Sequence, residues 1–204
     1  MEKKSIIDPN KKYPLPHEFM KNVCIEFLKV MFAQRPTGDL KYNKDIEKSE
    51  LFIGDKKAYN LNDVEKRPAI TTVRGAMLWT NQGGLDNFRG GLVKKNNEVG
   101  NAHRVYSDLV RGSVSIECVS SQGLEADRMA GLVWTLFKYY RPQLRSVGFH
   151  KIESLSMGEE MDLKSDSKPV ASMTPVNVVA MVEHKWIIEP TNTKRLENII
   201  QSIL

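Results

Sequence analysis

No run in this chain approaches the ~20 apolar residues that a membrane-spanning helix needs. The opening MEKKSIIDPNKK has no apolar core, so no secretory signal is expected. Cysteine is scarce, with two in 204 residues. Cys24 and Cys118 lie far apart, each on an expected apolar face. That reads as buried free thiols in a reducing compartment, with a disulfide left open. No C-x-x-C or H-E-x-x-H exists, which removes the common zinc spacings. His17, His103, His150 and His184 stand apart, and His184 reads as a hydrogen-bonded, partly buried strand residue. Neither G-x-x-x-x-G-K-[ST], G-x-G-x-x-G nor G-x-S-x-G occurs, so the phosphate-cradle and hydrolase-elbow signatures are missing. Charge of one sign is lacking too. Thirty Lys and Arg face 25 Asp and Glu, a net +5, too mixed for a strong nucleic-acid footprint.

What is present centres on Arg111 to His150. Val114, Ile116 and Cys118 alternate with Ser113, Ser115 and Glu117, the period of a half-buried strand. After the polar break Ser120 to Gly123, the residues Ala126, Met129, Ala130, Val133, Phe137 and Tyr140 form a helical stripe. Glu125 and Asp127 open that helix, and Lys138 and Arg141 close it, the order its dipole favours. Pro142 should stop it, and a return strand starts near Val147.

Upstream, residues 1–15 read as a flexible arm. Pro16 starts a helix whose stripe is Met20, Val23, Cys24, Phe27, Leu28 and Met31, ended by Arg35 to Gly38. Leu51 to Ile53 is a short strand. Ala69 to Thr80 is a longer one, with a bulge or bend expected at Gly75. Residues 81–102 hold five glycines and read as a mobile loop or an extended hairpin arm. His103 to Val119 should form one long strand, bent at Gly112. Downstream, Glu159, Glu160 and Asp162 read as a solvated acidic loop, with a metal site as the alternative. Ser165 to Thr174 reads as a polar linker. Pro175 to Ile188 is a long strand apolar on both faces, hence central or covered by a partner. Residues 191–204 read as an amphipathic helix with Leu196, Ile199, Ile200, Ile203 and Leu204 in its stripe.

This order predicts an α+β fold, a mainly antiparallel sheet with helices packed on it, in one domain over residues 16–190. No signature of catalysis or of a cofactor is found, and surplus apolar surface points to association. The candidate subunit or partner contacts are three groups. Arg89, Lys94 and Lys95 make the Gly-rich loop basic. Val105, Tyr106, Val179, Met181 and Ile187 lie on long strands. Ile199 and Ile203 lie on the last helix.

Five pieces carry a family resemblance: Arg67-Pro68-Ala69-Ile70; Gly112-Ser113-Val114-Ser115-Ile116-Glu117-Cys118; Gly123-Leu124-Glu125-Ala126-Asp127-Arg128-Met129-Ala130; Leu144 to His150; and Pro175 to Ile188. Together the chain resembles the tail terminator or tail-completion proteins of long-tailed bacteriophages. The resemblance implies an α+β protein of the virion, assembled in the host cytoplasm, that forms a hexameric ring. Such a ring sits on the tail tube protein, stops its growth and meets the head-side connector. A sheath protein joins it if the tail is contractile. DNA crosses the lumen, and neither catalysis nor a cofactor is implied. Other neck, tube or baseplate parts are the nearest alternative. A nucleic-acid-binding module follows, favoured by a pI of about 9.1. An enzyme is third.

Overall fold

The computed structural model describes residues 15–63, 67–79, 91–94, 102–165 and 168–188. The expected N-terminal arm, the C-terminal helix and most of the Gly-rich loop lie outside them. Helix α1 runs Pro16–Ala33. Four strands follow: β1 Phe52–Asp55, β2 Ala69–Trp79, β3 Gly91–Lys94 and β4 Ala102–Ser120. Then come α2 Gly123–Tyr139, α3 Arg141–Ser146, β5 Phe149–Met157, β6 Met161–Ser165 and β7 Lys168–Ile188. This is the α+β arrangement expected. The sheet order is β1-β2-β4-β7-β5, with β3 on β4 and β6 on β7. Only β1 against β2 is parallel.

The spine is the β4–β7 ladder. It pairs without a register shift from Arg104 opposite Ile188 to Ser120 opposite Ser172. Alternation sends Val114, Ile116 and Cys118 of β4 and Val176, Val178, Ala180 and Val182 of β7 to one face, where all are buried. Both long helices pack on that face. Helix α1 contributes Met20, Cys24, Leu28 and Phe32, and α2 contributes Met129, Ala130, Val133 and Phe137. The helices also touch each other, with Phe27 edge-on to Phe137 at 5.1 Å. Burial pushes the Cys24 thiol up to about 12 and raises that of Cys118, so both are inert free thiols.

The opposite face is divided. At one end, Ala69, Val119, Ala171 and Met173 form a second cluster with Phe52, Tyr59, Leu61 and Leu163. Its cover is the pair of 3-10 turns Lys56–Ala58 and Leu61–Asp63. Further along, the rows Val73–Ser115–Asn177–Ser156 and Ser113–Val179–Ser154 present small, mostly polar side chains that are half-buried or exposed. The apolar second face expected for the last strand therefore reduces to Val179 and Met181 within residues 175–183.

Several expectations are corrected. Ser165 to Thr174 is not a linker, because β7 begins at Lys168 and pairs with β6. Pro169 within it and Pro175 just after it both fit the sheet. Pro169 sits beside the register shift at Leu163/Lys164. The Pro175 carbonyl accepts from the Gly158 N–H at 2.8 Å, in the gap between β5 and β6. In an antiparallel strand the N–H and C=O of one residue point the same way. The missing Pro175 N–H therefore removes no bond to β4. Asp162, expected in a loop, lies on β6. Gly112 stays in register with Ala180 of β7, and the Met77 and Met20 thioethers lie over it, where a Cβ would collide. The bulge expected at Gly75 is present, between Arg74 and Met77. Pro142 ends α2 as expected, but it also starts α3.

Gly148 makes the turn from α3 into β5 with φ at +119°, and a Cβ there would lie 2.7 Å from the Phe19 ring. Gly131 in α2 has open space around it. Opposite outcomes follow for the same substitution. Gly148→Ala should destabilise by about 1–3 kcal/mol, and Gly131→Ala should stabilise by about 0.5–1 kcal/mol. Thermal denaturation checks the pair. Equal effects of the two would contradict this reading of the turn.

Candidate functional site

The sheet has two unlike edges. Strand β1 covers β2 only as far as Thr72, so no described strand pairs the outer side of β2 from Val73 to Trp79. Past the end of β1, a groove of about 540 Å³ opens between this edge, the first turns of α1 and the turn Lys56–Ala58. Its lining is rich in cations: Lys21, Lys56, Lys57 and Arg74, with His17 and the acidic Glu18 and Asp55 beside them. Two of these are internally paired. Lys21 bonds Asp55, and Lys56 reaches Glu117 at 2.9 Å. Glu117 is only 9% exposed and also accepts from Thr71 Oγ1 at 3.4 Å. Lys56 thus satisfies a nearly buried carboxylate on β4. Lys57 and Arg74 are exposed and carry no ion-pair partner among the described residues.

The other edge is β5, which two register shifts interrupt, at Phe149/Lys151 and Ile152/Ser154. Bulges and charges of this kind blunt an edge against indiscriminate pairing. From β5 the chain turns through Gly158, Glu159 and Glu160 into β6. Glu159, Glu160 and Asp162 are all exposed, as are Met157 and Met161. Among the described residues, no group of three His, Cys, Asp or Glu side chains is placed to hold a metal ion. No described helix is long and apolar enough to cross a membrane.

The structure draws some expected contact residues together and separates others. Val105 is interior, opposite Gly91 of β3 on one side and Ile187 of β7 on the other. Tyr106 lies opposite Trp186, and Lys94 opposite Ala102. Lys94, Val105, Tyr106 and Ile187 thus share one distal ribbon. Val105 and Val176 to Val182 are paired on both sides and leave no room for an added strand. From Glu183 to Ile188 no described strand pairs the side of β7 away from β4. Val179 is half-buried on the Ser-rich face and Met181 is 7% exposed. Arg89, Lys95, Ile199 and Ile203 lie outside the described residues.

Sequence reasoning missed the groove altogether. Lys56 and Lys57 are distant in sequence from Lys21 and Arg74, and the four meet only through tertiary pairing. The one available signal was the Gly-Asp-Lys-Lys run at the end of β1.

No protein-family model matches the chain, and no curated protein matches it.

Two groups tie the local fold to acid pH. The Glu50 carboxylate accepts from the Lys41 and Gly38 N–H groups, at 3.0 and 2.7 Å, which holds it below the usual carboxylate range. Asp55 is held low first by its bond to Lys21 and then by the Lys57 N–H. Folded values below the unfolded ones give stability that is present above about pH 4.5 and lost as pH falls through the lowered values. Replacing Glu50 by Gln together with Asp55 by Asn should lower the melting temperature at neutral pH and flatten its fall in acid. Melting curves from pH 7 to pH 2.5 measure this. Parallel acid limbs in wild type and variant would contradict it.

Proposed function

We propose that this chain is a structural part of a phage particle. It forms a ring at the head-proximal end of the tail, ends growth of the tail tube and joins the tail to the head-side connector. The observation that carries the reading is the β4–β7 ladder. Val114 and Val182 are the outermost core residues of these two strands among those described. Backbone pairing runs on past them to Arg104 opposite Ile188, and β3 pairs there as well. From Gly112 to Ala102 this ribbon spans about 30 Å. A paired ribbon of that length gives a subunit something with which to touch a neighbouring layer. The two unlike sheet edges support the same reading. A ring requires a heterologous contact, in which one patch meets a different patch on the next copy.

In this reading the distal ribbon carries Lys94, Val105, Tyr106 and Ile187 toward the tube or the connector. Strand edges left open, such as β2 beyond Thr72, serve the subunits themselves. The basic loop residues Arg89 and Lys95 and the apolar Ile199 and Ile203 are further proposed contacts. DNA passes through the lumen without chemistry. In a phage that carries this chain, disrupting its gene should give tails of uncontrolled length without attached heads. Tails of normal length on filled heads would overturn the terminator role.

A further inference from the structure

Exposed charges stand at the two ends of one row across the sheet. Gly54 of β1 lies opposite Thr71 of β2, Thr71 opposite Glu117 of β4, and Glu117 opposite Pro175 of β7. The Pro175 carbonyl then meets the Gly158 N–H in the β5–β6 turn. Just past Gly54 is the cationic groove, and just past Gly158 is the acidic turn. The two features therefore stand at the same level on opposite edges, four strand spacings or about 19 Å apart.

Their free charges are opposite on balance. In the groove, Asp55 and Glu117 occupy Lys21 and Lys56, which leaves Lys57 and Arg74 against the single acidic Glu18. In the turn, Glu160 is exposed and lies against its own chain. Its carboxyl lies over Gly123 at the start of α2, where a Cβ would stand 2.9 Å from Cδ. Helix α2 has no side-chain cap, so that carboxylate faces the positive end of its dipole. Glu159 and Asp162 remain, exposed and without an ion-pair partner among the described residues.

We infer that the β5–β6 turn of one copy seats in the groove at the β1–β2 edge of the next, with Glu159 and Asp162 against Lys57 and Arg74. This is the head-to-tail joint of the assembly, and it rests on the ring reading above. The occupant is a second copy of this chain, because the acceptor's charge is answered by a projecting turn at the same level of the opposite edge. One copy offers groove and turn on different edges, so contacts propagate from copy to copy and close under rotation. Met157 and Met161, 50% and 45% exposed, flank the turn and supply apolar contact that adapts to the groove wall at Val73.

Charge exchange tests the joint. One variant carries Lys57→Glu and Arg74→Glu, and a second carries Glu159→Lys and Asp162→Lys. All four side chains are exposed, so circular dichroism should report the wild-type fold for both. Sedimentation velocity is run on each variant alone, on an equimolar mixture and on wild type. Each variant alone should need at least about tenfold more protein to assemble. The mixture should recover wild-type assembly, since each groove then meets a turn of opposite charge in alternating order. Either variant assembling alone like wild type overturns the joint and leaves the ring. A mixture that stays monomeric also overturns it. Wild type that is monomeric at every concentration removes the ring reading and the joint with it. Should a reversed variant misfold, Glu159→Gln with Asp162→Asn carries the same test, and unchanged assembly there also overturns the joint.

Discussion

The structure depends on one uninterrupted antiparallel ladder between two strands of 19 and 21 residues. Everything else takes its place from that register. Its even-numbered residues from Val114 to Cys118 and from Val176 to Val182 make a continuous apolar surface, and α1 and α2 bury it from one side. A slip of one residue would turn that entire surface outward, so the burial of these side chains fixes the pairing. The same register sets the outer strands. Once Glu117 lies opposite Thr71 and Pro175, the β1 edge and the β5–β6 turn are at one level, and Lys56 is within reach of Glu117.

Much of this was legible from residue order. Met20, Cys24 and Leu28 of the α1 stripe and Ala126, Met129, Ala130, Val133 and Phe137 of the α2 stripe are buried as helical spacing requires, while Val23, Phe27 and Met31 are half-buried. The alternation from Val114 to Cys118 gave a strand with the correct face inward. What local pattern hides is which strand stands beside which. Val105 looks like an edge residue in sequence, yet β3 and β7 flank it. The expected strand starts at Pro175, whereas β7 starts at Lys168. In the sheet the Pro175 ring faces a gap between two partner strands, and that is a property of three strands together. Ile25 and Phe32 lie outside the expected α1 stripe yet are buried.

The candidate site was illegible for the same reason. Its cations come from α1, the turn after β1, and β2, and tertiary pairing alone makes them neighbours. The apolar second face that first pointed to association is largely serine and asparagine in the middle of the sheet. Association by that face would lack a large hydrophobic term. Weight moves to the edges, where unpaired charges and open backbone remain. Joints of that kind form between rigid parts, stay responsive to salt, and discriminate against wrong partners by charge.

The central claim is that copies of this chain meet edge to edge, head to tail, and close. Electron microscopy of the purified full-length protein tests it most directly. The account expects closed rings of a single size, with each sheet's β5–β6 turn set against the β1–β2 edge of its neighbour. Isolated single copies at high protein concentration, or filaments that lengthen without closing, would contradict it.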